Sequence, residues 1–339
     1  MSHFTVLVVG ENPEEKLAPY QENNMDDCPP EYLAFNDCTD EVVEGFKTDT
    51  ITGWRKIDGD DFIPRYGSNG QHGCPEGYEE AEEACTIYYG DDIQRYAKDY
   101  HGYSIEDGKF GYYENPNAKW DWYQLGGRWC GFFKVKPEYD GASKVGSRGL
   151  MGSCRNEGTM YVDQAKKYQI DFESMVQESR DKAAADYDFI ASLFDDGVIP
   201  KIEKPWSHFL ALKDSGEIEG IKEAREQYWA QPSLIRWKDA TEAARTMEGI
   251  TDRQKSLAVW AEATDYQMSR DEYIDFHGKR AFQTFAVVTE DGKWHEKGSM
   301  GWFGCVSDEK GPEDWTGQFY DLFQSLPDDT LLSVFDCHI

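Results

Sequence analysis

The chain has 339 residues, 39% of them hydrophobic and 14% aromatic, with a formal net charge of -30. That aromatic supply is globular and excludes a disordered chain. The charge repels nucleic-acid backbone and anionic membrane, so direct nucleic-acid binding is not expected. The excess is uneven, with 23 acids against 7 bases in residues 1–100.

In chain order, Phe4 to Val9 is a short β-branched run that reads as a buried strand. Residues 11–118 are rich in Gly, Pro, Asn, Asp and Tyr; short elements and ordered loops are expected there, with a helix near Ile93–Tyr100. Trp120 to Lys136 reads as a hairpin turning at Gly126-Gly127, and Gly141 to Gly158 as a flexible glycine-rich stretch. Apolar residues from Tyr161 to Phe194 recur at three- and four-residue steps, predicting one long amphipathic helix over about 160–195. Further helices are predicted near 217–229, 238–248, 252–265 and 268–276, with Pro200, Pro232 and Gly249 as stops. A strand from Phe282 to Thr289, a return strand after Asp291-Gly292, a helix over Pro312–Leu326 and a last strand Leu331–His338 close the chain.

This order predicts an α+β fold: a ferredoxin-like antiparallel sheet formed by both chain ends and the Trp-rich hairpin, with a large helical insertion. The expected division is a discontinuous domain of 1–158 and 281–339, carrying the acidic segment 11–118 as an insert, and a helical subdomain over 159–280. The long helix also offers a stripe for a homodimer through 160–195.

Eight cysteines stand apart without Cys-x-x-Cys or zinc spacing, so no metal site and no cofactor is expected, and scattered thiols fit a reducing cytoplasm. The first residues lack the basic start of an export signal, and no apolar run reaches membrane-spanning length. Gly146-x-x-Gly149-x-x-Gly152 precedes the long helix, yet it matches neither phosphate-loop pattern and reads as a linker. Gly298-Ser-Met-Gly-Trp-Phe-Gly shares a glycine–aromatic grammar with Gly126-Gly-Arg-Trp-Cys-Gly-Phe.

Two constellations carry candidate chemistry. In the expected hairpin, Trp120, Trp122 and Trp129 offer faces on which a base can stack; Asp121 stands beside them and Arg128 offers a fork for phosphate or carboxylate. An aromatic core with Arg128 exposed at the turn is the competing reading. Antiparallel pairing of the first and last strands would set His3 and Thr5 beside Asp336 and His338, a set able to perform general acid–base chemistry. The alternative there is two solvated histidines at chain ends.

Two resemblances add to these readings. His3-Phe4-Thr5-Val6 resembles one motif of the 2H phosphoesterase superfamily; the second copy that superfamily needs is missing, since His208 and His295 lack the hydroxyl residue two positions on. The opening stretch Ser2–Asn24 and the segment Asn115–Trp129 resemble a group of uncharacterised bacteriophage and mobile-element proteins. That resemblance implies a phage-encoded accessory protein in the host cytoplasm, of a kind that often counters host defence. Two functions follow as expectations. One is binding of a small nucleotide-like ligand, with hydrolysis by a metal-independent, phosphoesterase-like use of His3 and His338. The other is an acidic inhibitor, DNA-mimic-like or helix-mediated, that blocks a host defence or nucleic-acid-processing protein.

Overall fold

The computed structural model describes residues 2–66, 70–139 and 144–339, apart from the side chain of Trp302. Residues 141–143 of the expected glycine-rich stretch therefore lie outside the described residues. The fold is mixed α+β and divides into two compact units, Met1–Pro13 with Tyr123–His338, and Glu14–Trp122. This division differs from the expected one. The helices of 172–279 belong with the sheet, and the acidic segment stands as a unit of its own.

The larger unit is built on a seven-stranded sheet. The opening strand His3–Val9 lies between the closing strand Leu331–His338, antiparallel, and Ala286–Val288, parallel. Trp294–Glu296 returns antiparallel on the outside of Ala286–Val288. On its far side the closing strand is flanked by Trp122–Gly127, and Gln164–Lys166 also pairs with it. The opening strand is buried along both faces, which explains why its apolar run does not alternate.

The topology departs from the ferredoxin-like expectation. In that fold the return strand of the hairpin interleaves, antiparallel, beside the opening strand. Here the first hairpin strand sits there instead, with Val6 opposite Ala286 and Val8 opposite Val288 in parallel register.

The expected hairpin over Trp120–Lys136 does not form. Gly126 and Gly127 pair in parallel with Ser147 and Arg148, while Phe133–Lys134 pairs with Tyr161–Val162. The glycine run after 144 is thus part of the sheet rather than a linker. A Cβ at Gly146 would overlap the Leu125 carbonyl.

The long helix covers Phe172–Ser192, shorter than predicted, because Tyr161–Val162 and Gln164–Lys166 are strands and Asp171 caps the helix by accepting the Ser174 N–H at 3.0 Å. Its first turns place Met175 in a core with Leu7, Val9, Leu332 and Val334 on the sheet and Trp315, Phe319 and Phe323 on the helix Pro312–Ser325. Its later turns place Ala183, Phe189 and Ile190 in a second core formed by the helices of 206–279. The stripe read as a dimer surface is therefore covered within the chain. Pro232 is the first residue of the helix Pro232–Ala244 rather than only a stop.

The smaller unit holds two three-stranded antiparallel sheets. Thr50–Lys56 is central in one and Lys109–Glu114 in the other. Its core gathers Val42, Ile51, Cys85, Tyr96 and Phe110. The helix Ile93–His101 starts on an Asp92 cap and stops at Gly102, whose φ of 74° suits glycine.

No helix among the described residues is long and apolar enough to cross a membrane.

Candidate active site

Register puts the terminal residues side by side. His3 pairs with His338 and Thr5 with Asp336, so all four share one sheet face. Two residues further along, the same face carries Leu7, Val9, Leu332 and Val334 and belongs to the core. The face thus changes from apolar to polar at one end of the sheet.

Asp336 is the anchor. It is 1% exposed, and a buried carboxylate is costly unless its oxygens find donors. One oxygen meets His3 Nδ1 at 2.8 Å; the other accepts the backbone N–H of Arg128 at 2.9 Å. Such a contact fixes the ring orientation and directs Nε2 of His3 away from the carboxylate. The His338 ring lies edge-on to His3, with centroids 4.9 Å apart. Thr5 Oγ1 accepts the Phe285 N–H at 3.1 Å, so its hydroxyl oxygen ties the opening strand to the approach of Ala286–Val288.

The Gly-Gly-Arg-Trp-Cys-Gly-Phe segment wraps two buried carboxylates. Arg128 N–H reaches Asp336, while Gly131 and Phe132 N–H reach Asp163 Oδ1 at 2.8 and 3.0 Å. Asp163 Oδ2 accepts the Gly146 N–H at 2.8 Å. Gly126 and Gly127 have φ of 77° and 57°. A Cβ on Gly126 would fall 2.6 Å from Asp163 Oδ2, and one on Gly127 would overlap Asp336. These glycines are required by close approach as well as by φ.

Burial pushes the Asp163 carboxyl up, against the pull of its three N–H donors. The Cys130 thiol beside it is pushed up to about 12, first by burial and then by the Cys154 thiol. Gly149 and Gly152 N–H are taken by the carbonyls of Ser153 and Gly149, so with Gly146 bonded to Asp163 this glycine series presents no phosphate cradle.

A second loop borders the site. Ser2 Oγ donates to the Gly301 carbonyl at 2.7 Å and accepts the Gly304 N–H at 2.6 Å. This holds Phe303, 82% exposed, at a φ of 58°, which a bulky residue rarely adopts. The two glycine–aromatic segments thus share a position near the opening strand's first residues, although they are not two copies of one hairpin.

Comparison of the chain with protein-family models, with curated proteins and with solved structures finds no match.

The remaining aromatic candidates separate. Trp120 is 4% exposed and donates its Nε1–H to the Leu17 carbonyl at 3.1 Å, inside the smaller unit. Asp121 accepts from Asn24 at 3.2 Å, and Trp122 is exposed. Trp129 packs against the core of the larger unit, and the Arg128 side chain is exposed. The alternating aromatic face expected from a hairpin is absent because the hairpin is absent. Among the described residues no group of three or more His, Cys, Asp or Glu has metal-holding geometry.

Asp163 and the Ser2–Gly301 contact have no place in the sequence reading, and Gly126-Gly127 reads there as a turn rather than as a wrap around carboxylates. Asp163 offered no signal, being one acid among 65 acidic residues.

Proposed function

We propose that the end of the sheet carrying His3, Asp336 and His338 binds a small phosphorylated, nucleotide-like ligand and acts on it by general acid–base chemistry. The observation that carries the reading is a histidine oriented by a buried carboxylate, with a second imidazole beside it. In phosphoester hydrolysis one neutral imidazole takes a proton from water as its oxygen bonds to phosphorus. The other, protonated, gives its proton to the leaving oxygen as the P–O bond breaks. Asp336 holds the His3 ring, and Arg128, whose backbone is fixed on that same carboxylate, supplies a guanidinium for the phosphate. Phe303 offers an exposed aromatic face for a base. With the phage-protein resemblance, the activity suits a counter-defence factor that removes or sequesters a phosphorylated signal.

The test is binding and turnover of mononucleotides, 2′,3′-cyclic nucleotides and bis(p-nitrophenyl) phosphate by the full chain. Arg128→Ala is expected to lose binding. His3→Ala and His338→Ala are expected to keep binding and lose turnover by about 10²-fold or more. Wild-type protein that neither binds nor cleaves any of these refutes the reading.

A second reading, the acidic inhibitor, is supported by the smaller unit. Glu14–Trp122 carries 26 acids against 9 bases. It requires a basic protein partner whose binding weakens steeply with salt.

A further inference from the structure

Away from the histidine site, the helices Arg270–Lys279 and Pro312–Ser325 leave a groove between them. Two adjoining cavities of about 540 and 520 Å³ share Phe276 and Glu313. Phe276 and Tyr320 supply aromatic surface, while Glu313, Asp314 and Asp321 stand exposed along the Pro312–Ser325 side. Two cations line it: Lys279, which pairs with Asp275 at 2.9 Å, and Arg280, which lies over the Phe276 ring at 4.8 Å.

Gly317 is the telling residue. It sits in the interior of a fourteen-residue helix, and nothing lies within 4 Å of where its Cβ would be. Glycine there costs the helix about 1 kcal/mol relative to alanine. Neither a positive φ nor a close neighbour requires it. It lines the groove beside Tyr320.

We propose that this groove docks a basic amphipathic helical segment of a partner protein, with apolar side chains on the aromatic surface and Lys or Arg against the acidic side. Charge complementarity selects the occupant. The lining carries six carboxylates, Glu272, Asp275, Glu313, Asp321, Asp265 and Asp314, against the two cations, so a basic helix gains at both its apolar and its charged face. This is a protein-docking surface, independent of the ligand chemistry proposed above.

The test uses the full chain and a fluorescein-labelled helical peptide with Leu on one face and Lys on the other, read by fluorescence anisotropy. The same peptide with Glu for Lys is the comparison. The Lys peptide is expected to bind and the Glu peptide not. Gly317→Leu, which fills the groove without changing charge, is expected to weaken binding about tenfold or more while thermal unfolding shows the helix intact. Asp321→Lys is expected to weaken it similarly, and Glu79→Lys, on a strand of the smaller unit, to have little effect. The proposal is overturned if folded Gly317→Leu binds as wild type, if the Glu peptide binds equally, or if Glu79→Lys weakens binding as much as Asp321→Lys.

Discussion

Asp336 and Asp163 are acids placed where acids are costly, and the chain answers each with backbone N–H donors from one glycine-rich segment. Gly127→Ala forces a Cβ into Asp336 at a φ of 57°. The expected cost is about 2 kcal/mol or more in urea unfolding, together with loss of the His3 contact. Asp163→Asn removes one acceptor from the three N–H groups and is expected to cost about 1–3 kcal/mol. Its pH dependence has a definite sign. The folded state holds the Asp163 proton more tightly than the unfolded chain, so this stability is fully present below the ordinary aspartate range. It is lost as pH rises through the raised folded value. The advantage of wild type over the Asp163→Asn variant should therefore shrink from acid towards neutral pH in paired unfolding measurements. An advantage that grows over that range contradicts the direction. His3, Thr5, Asp336 and His338 could be placed together from sequence because two terminal strands in antiparallel register leave little freedom. Asp163 could not, because its carboxylate is held by backbone N–H groups seventeen to thirty-two residues away.

Among the elements, apolar runs and caps were legible and the glycine pair was misleading. The closing strand begins at Leu331 and ends at His338 as its apolar pattern predicts, and the helix starting at Pro312 follows its N-terminal proline. Gly126-Gly127 reads as a primed turn because positive φ is what such a turn needs. Here the same φ brings the backbone onto two carboxylates. Tyr161, Ala165 and Tyr168 fit helical spacing yet lie in or beside two short strands, since tertiary pairing with Phe133–Lys134 and the closing strand outweighs periodicity. Trp120 is best understood as packing. Trp120→Ala is expected to destabilise the smaller unit by about 3–5 kcal/mol, measured by denaturant unfolding. A ligand-stacking role alone would leave stability unchanged.

For the molecule as a whole, charge sets the expectations. The smaller unit holds 26 acids against 9 bases, and the rest of the chain 39 against 26. Self-repulsion at that density opposes compactness, so raising salt from low to moderate concentration is expected to raise the midpoint of thermal unfolding. A fall in the midpoint would mean that attractive pairs such as Arg55–Glu83 dominate instead. The α+β class was readable from the order of elements. The parallel neighbour of the opening strand was not, because local sequence does not say which strand of a hairpin lies inward. The proposed function requires that His3 and His338 form one ligand-facing site with Arg128. Its most direct measurement is ¹⁵N imidazole NMR of the full chain titrated with a 2′,3′-cyclic nucleotide. Both histidine side chains should shift together in wild type and stay unmoved in Arg128→Ala; a titration that leaves both wild-type signals unchanged contradicts the account.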